Sequence, residues 1–218
     1  MSFTICDLTS WFVGIQHEEQ ALQKARKIVS NQTLSEPMVT MRDINPAYVC
    51  WLDAPDLDMH LPVVQGQDDA FYLEHAWDNT ISDLGTPFFD CISHREDSVQ
   101  IIYGHTVTYD KKAMFTPLHK LAEKREQLLE FQLHYDAYSN LYEMVYAFTL
   151  AKNNSEFALR KQNFSNQADF DQWIGYAKAH TFLIPPLECT IQDSYVLLQT
   201  CSQTRGDFLI VIGRKCIT

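Results

Sequence analysis

Residues 194–217 read SYVLLQTCSQTRGDFLIVIGRKCI, two apolar runs separated by a short polar turn. SYVLLQTC (194–201) and DFLIVIGRKCI (207–217) are rich in β-branched and aromatic residues. With SQTRG between them, the pair predicts two adjacent strands at the end of the chain. Upstream, VQIIYGH (99–105) and GTPFFD (85–90) predict strands that end in polar residues. Tyr142–Leu150 predicts another, with Tyr142, Met144, Tyr146 and Phe148 on one face by alternation. In residues 38–66, MVTMRDINPAYVCWLDAPDLDMHLPVVQG, short apolar pieces are broken by Asn-Pro, Ala-Pro and Leu-Pro, which suits strand and turn.

Helical patterns interrupt these runs. Over 10–30, Trp11, Ile15, Leu22, Ala25 and Val29 recur at three- and four-residue spacing behind Ser10, a plausible N-cap. DDAFYLEH (68–75) predicts a short helix, and PLHKLAEKREQLLEFQLH (117–134) a longer one with Pro117 in its first turn. DFDQWIGYAKAH (169–180) predicts a helix carrying Phe170, Trp173, Ile174 and Ala177. The fold expected is mainly β with helical insertions, a barrel or a sandwich.

The chain has 218 residues, enough for one domain with a real core, and 46% of them are hydrophobic, which excludes wholesale disorder. Its 17 Lys and Arg against 28 Asp and Glu give a formal net charge of −11. Such a chain, without a basic run, is a poor partner for a nucleic-acid backbone or an anionic lipid surface. No stretch approaches the roughly 18–20 consecutive apolar residues that span a bilayer. The six cysteines lie 44, 41, 98, 12 and 15 residues apart, with no C-x-x-C pair, against a zinc ribbon or thioredoxin-type motif. Asp58, His60 and His75 have no spacing that demands a metal, and no metal or other cofactor is expected.

Two strand ends bear chemistry-capable residues. Tyr103-Gly104-His105 closes one apolar run and Leu198-Gln199-Thr200-Cys201 another. A strand end lies at a sheet rim, where a side chain is exposed on a rigid backbone. Cysteine attacks as the thiolate and needs an imidazolium or other cation nearby. Arg205, four residues after Cys201, brings such a cation to the same rim. Each also has a plain reading: Cys201 as core, His105 as a turn residue, Arg205 as a solvated loop charge.

The ordered set LPVVQGQDDAFYL (61–73), GTPFFD (85–90), IIYGHTV…KKAMFTPL (101–118) and LLQTCS…FLIVIGR (197–214) resembles a sortase, most closely one of class B. INPAYVCWLDAPDLDMHLPVVQG resembles that class's lead-in, a helix running into a tryptophan-containing first strand. The likeness spans about residues 40–216. It implies an eight-stranded sortase-like β-barrel over 38–218 behind an N-terminal helical segment, 1–37, with 169–180 as the helix before the nucleophile strand. It also implies a cysteine transpeptidase that cleaves a surface protein's C-terminal sorting signal, of the Asn-Pro-x-Thr kind, through a thioester. The acceptor would be an amine of a cell-wall precursor or a pilin lysine. Cys201 would be the nucleophile, His105 the general acid and Arg205 the oxyanion-supporting arginine, with no calcium. The implied setting is the extracytoplasmic face of the membrane, reached through an N-terminal anchor that this sequence does not display.

The sequence departs from the family pattern in several places. The arginine usually lies eight or more residues after the cysteine; Arg205 is assigned as the one near Cys201 by chain distance, with Arg214 next. Thr106 stands where Asn commonly follows the His, Lys112 where Gly commonly precedes Met-Phe, and Cys50 in place of a Gly before the Trp. Met114 and Phe115 read as core, and Phe170, Trp173 and Tyr176 as helix packing. Two rival readings are a thiol peptidase, in which water resolves the thioester, and a degenerate sortase fold kept as a binding scaffold.

Overall fold

The computed structural model describes residues 19–29, 40–107, 109–184, 188–201 and 206–216. Its strands are β1 (Tyr48–Ala54), β2 (Met59–Val64), β3 (Phe88–Phe89), β4 (Val99–Tyr103), β5 (Glu130–His134), β6 (Ser139–Ala151), β7 (Tyr195–Cys201) and β8 (Asp207–Lys215). They close into a barrel in the order β1-β2-β3-β4-β7-β8-β6-β5. The eight-stranded barrel expected from the resemblance is therefore the fold. Pairs β2·β3 and β4·β7 are parallel; the other strand pairs are antiparallel.

Alternation divides the apolar residues between the inside of the barrel and its coat. Cys50, Leu52, Val63, Ile102, Phe131, Leu133, Met144, Leu198 and Val211 fill the interior. Their neighbours Ile101, Tyr195, Leu197, Ile210 and Ile212 face outward under the helix α3, Gln167–His180. That helix starts at Asn166, whose side chain accepts from the Asp169 backbone N–H. It buries Phe170, Trp173, Ile174 and Ala177, as its spacing predicts. Burying each of the large ones contributes roughly 1.5–3 kcal/mol, an upper range because the unfolded chain is already partly compact.

The expected helix over 10–30 is described only for 19–29, which is helical (α1); Ser10, Trp11 and Ile15 lie outside the described residues. Ala21 and Ala25 are buried against Trp51 and Trp77, and the Trp77 indole N–H donates to the Ala21 carbonyl at 2.8 Å. Among the described residues no helix is long and apolar enough to cross a membrane.

Three local expectations are corrected. Residues 117–134 are not one helix: a 3-10 segment covers Thr116–Ala122, and Glu130–His134 is β5. LLEFQLH carries both a helical and an alternating pattern. The barrel resolves it, because β5 fills the place between β1 and β6 while Phe131 and Leu133 point inward. Tyr142, Met144, Tyr146 and Phe148 do not share one face. A register shift between Met144 and Tyr146 leaves the first two inside and turns the last two out toward α3. Over 68–75 only Phe71–Leu73 is helical, and that is 3-10. A short helix that the sequence reading did not anticipate, α2 (Met41–Ile44), precedes β1 with a Thr40–Asp43 capping box.

Candidate functional site

The parallel pair β4·β7 runs in register from Val99↔Tyr195 to Tyr103↔Gln199. The next N–H, that of Gly104, donates to the Gln199 carbonyl at 3.0 Å. The two strands therefore end side by side, with His105 following one and Cys201 closing the other. Gly104 is required here, because a Cβ on it would lie 2.6 Å from the buried Phe115 ring. The Phe115 N–H in turn holds the His105 carbonyl at 3.0 Å. Met114 and Phe115, read as core, are both buried.

His105 and Cys201 line one pocket of about 250 Å³ with Asp69, Leu73, Phe88, Tyr103, Gly104, Gln199, Thr200 and Phe208. Cys201 is exposed and His105 half-exposed. Of the other described cysteines, Cys50 and Cys189 are buried, Cys91 and Cys216 half-buried, and none is in a disulfide. A second cavity of about 270 Å³, beside Arg42, Gln65, Arg95 and Tyr135, has neither a thiol nor an imidazole among its described lining residues.

The His105 ring is oriented by a backbone group: Nε2 lies 3.0 Å from the Leu73 carbonyl, to which it donates. That carbonyl lies close against the turn at Gly85, whose φ is +60°. A Cβ on Gly85 would sit 2.4 Å from the Tyr72 carbonyl oxygen and 2.7 Å from that of Leu73. Backbone cannot yield as a flexible side chain does. Gly85→Ala is therefore expected to cost about 2–4 kcal/mol of stability, combining left-handed strain with the clash. Denaturant unfolding measures this; a loss under about 0.5 kcal/mol would show that the turn relaxes freely.

The pocket wall is braced by charge. The Tyr103 hydroxyl donates to Asp90 at 2.6 Å, and Arg160 donates to Asp90 at 2.6 Å and to Asp69 at 2.9 Å. Asp90 is 1% exposed. Burial opposes its charge, but hydrogen bonds from Arg160 and Tyr103 prevail and hold its carboxyl below the ordinary value.

Behind Cys201 lies a small polar cluster. The Thr106 hydroxyl donates to the Cys201 carbonyl at 2.7 Å and lies 2.8 Å from Thr200 Oγ1 and 3.0 Å from His119 Nε2. Thr106 was noted in the sequence only as a departure, and His119 was missed. Its one signal was a histidine within the misassigned helix.

Arg205 lies outside the described residues. Arg214, the next candidate, is not near Cys201: it pairs across the sheet with Tyr195 while Cys201 pairs with Phe208. Its guanidinium holds Glu143 at 2.8 Å and the Glu188 carbonyl at 3.0 Å. Elsewhere, Asp58 is ion-paired with Lys112, His60 faces Asp53, and His75 stacks on Phe71.

No protein-family model matches the chain. A curated sortase B of Listeria monocytogenes is 23% identical over 228 residues, covering 96% of this chain and 91% of that protein. Among solved structures, Clostridium perfringens sortase B has a TM-score of 0.73 at 22% identity, covering 81% of this chain and 98% of that one. A Staphylococcus aureus sortase B–substrate complex has a TM-score of 0.71 at 16% identity, covering 98% and 99%.

Proposed function

We propose, from a chain that has the fold of class B sortases and resembles sortase B along nearly its whole length, that it is a cysteine transpeptidase. The observation that carries the reading is the juxtaposition of Cys201 and His105 at the ends of two parallel strands, in one pocket. A thiol and an imidazole 96 residues apart in sequence (105 to 201) are held there by main-chain hydrogen bonds rather than by mobile loops.

The chemistry divides into two displacements. The Cys201 thiolate attacks the scissile carbonyl of a peptide, forming the C–S bond. As the tetrahedral intermediate collapses, the C–N bond breaks and His105 delivers a proton to the leaving amine. An incoming amine then attacks the thioester, its C–N bond forms, the C–S bond breaks, and its proton passes back to His105. Nε2 of His105 is engaged by Leu73, so the exchanged proton belongs to the other ring nitrogen.

The substrate in this reading is a sorting signal of the Asn-Pro-x-Thr kind or a pilin equivalent. The acceptor is an amine of a cell-wall precursor or a pilin lysine, at the extracytoplasmic face of a membrane. The apolar lining from Leu73, Phe88, Tyr103 and Phe208 suits the less polar part of such a peptide. Arg205 is assigned to support the oxyanion. Its replacement by alanine is expected to lower kcat/KM by about 10²–10³-fold, the scale of losing one oxyanion donor. Activity within threefold of the parent would remove Arg205 from the site.

The deciding experiment incubates the protein with pooled sorting-signal peptides, with and without triglycine, and follows it by mass spectrometry. The expected result is an acyl adduct on Cys201 that triglycine discharges into a new peptide. Discharge to free acid alone, with triglycine ignored, would make the protein a thiol peptidase. A folded protein that takes no acyl group from any peptide would instead fit a binding scaffold.

A further inference from the structure

We infer that Thr106 and His119 form, with Thr200, a positioning cluster that pins the Cys201 backbone and so fixes where its sulfur stands in the pocket. This rests on the transpeptidase reading for its kinetic consequence, though the cluster itself can be tested without it.

The hydrogen-bond accounting closes on one hydroxyl. Thr106 has one proton to give and two lone pairs to offer. The proton goes to the Cys201 carbonyl at 2.7 Å. Its lone pairs then accept, one from the Thr200 hydroxyl at 2.8 Å and one from His119 Nε2–H at 3.0 Å. That arrangement requires a proton on His119 Nε2. Burial holds the imidazole below its ordinary value, partly offset by the nearby Cys201 backbone, so near neutrality the ring has a single N–H to place.

Each member comes from a different part of the chain. Thr106 follows β4, Thr200 lies in β7, and His119 sits in the 3-10 segment Thr116–Ala122 beneath the site. Thr106 is also fixed by a bridge to Met114, and Thr200 is 2% exposed. The cluster thus ties the carbonyl of the nucleophile to three separately anchored elements. A carbonyl so held restricts rotation about the Cys201 backbone, from which the Cβ–Sγ bond is aimed. The departure at 106 acquires a function in this chain: its hydroxyl bridges Cys201 and a histidine.

The test compares turnover of an Asn-Pro-x-Thr peptide pool by four variants. Thr106→Val keeps the shape and removes the hydroxyl; His119→Leu removes the donor. Thr106→Ser keeps the hydroxyl, and His119→Gln places an amide N–H where Nε2–H stood. Loss of alignment acts on the chemical step, so Thr106→Val and His119→Leu are expected to lower kcat about tenfold with KM within twofold. Thr106→Ser and His119→Gln are expected to stay within threefold of the parent. The double variant Thr106→Val/His119→Leu is expected to fall little further than the worse single one, because both break one network.

Parental kcat in a folded His119→Leu or Thr106→Val chain would overturn the inference, as would losses that the conservative variants fail to restore. A readout independent of turnover is nitrogen NMR of His119 at pH 7.5. A slowly exchanging Nε2–H that loses protection in Thr106→Val supports the cluster, and a proton on Nδ1 alone overturns it. If the unmodified protein takes no acyl group but shows the protected Nε2–H, the transpeptidase reading fails and the cluster stands.

Discussion

A Cys201→Ala chain is expected to form no acyl adduct with any sorting-signal peptide and to lose at least about 10³-fold in turnover, the scale at which a nucleophile is removed. The argument depends on the other thiols as much as on Cys201. Burial pushes the Cys50 and Cys189 thiols up, away from the reactive thiolate. Cys91 and Cys216 are raised too, first by desolvation and then by neighbouring carboxylates. Among the described cysteines only Cys201 is exposed, and it alone shares a pocket with His105. No described neighbour stands ready to replace it. Intact-mass spectrometry with the peptide pool gives the answer directly: an acyl adduct persisting at parental yield in Cys201→Ala would place the nucleophile elsewhere.

The second large effect is expected at His105. Its replacement by alanine removes both the group that protonates the leaving amine and the only imidazole among the described residues lining the pocket. General acid–base catalysis contributes about 10²–10⁴-fold, so kcat/KM is expected to fall by that factor. The fold should survive, since His105 is half-exposed and its side chain bonds the Leu73 carbonyl. Steady-state cleavage of a fluorogenic sorting-signal peptide reads this loss. Activity within tenfold of the parent would assign the proton transfer to another group.

What was legible in the sequence follows from where local pattern and tertiary context agree. α3 carries its own N-cap and one apolar face, and β7 and β8 are apolar on both faces because the barrel interior and α3 cover them. These elements could be read without knowing their partners. β5 could not. Leu128, Leu129, Phe131 and Leu133 satisfy a helical and an alternating period equally, and only the vacancy between β1 and β6 decides. The face change in β6 depends on a bulge that leaves no mark in the residue types around Met144 and Tyr146. At the site, His105 and Cys201 stood out because each ends an apolar run. His119 did not, since its place depends on a turn that Met114 makes with φ +47°. The Leu73 carbonyl was equally invisible, because a backbone oxygen has no sequence signature.

The parallel pairing of β4 with β7 also sets when the site can exist. The bond between Thr106 and the Cys201 carbonyl spans 95 residues of chain. Closing so long a loop costs entropy before any contact repays it, so this ladder belongs among the late events of folding. Until it forms, the histidine and the thiol are strangers on one unfinished chain. A ribosome must deliver residue 201 of 218 before the two can meet. The growing polypeptide therefore carries His105 through 96 further residues of synthesis (105 to 201) before its thiol partner is made. Reactivity arrives with barrel closure, as a property of the finished topology.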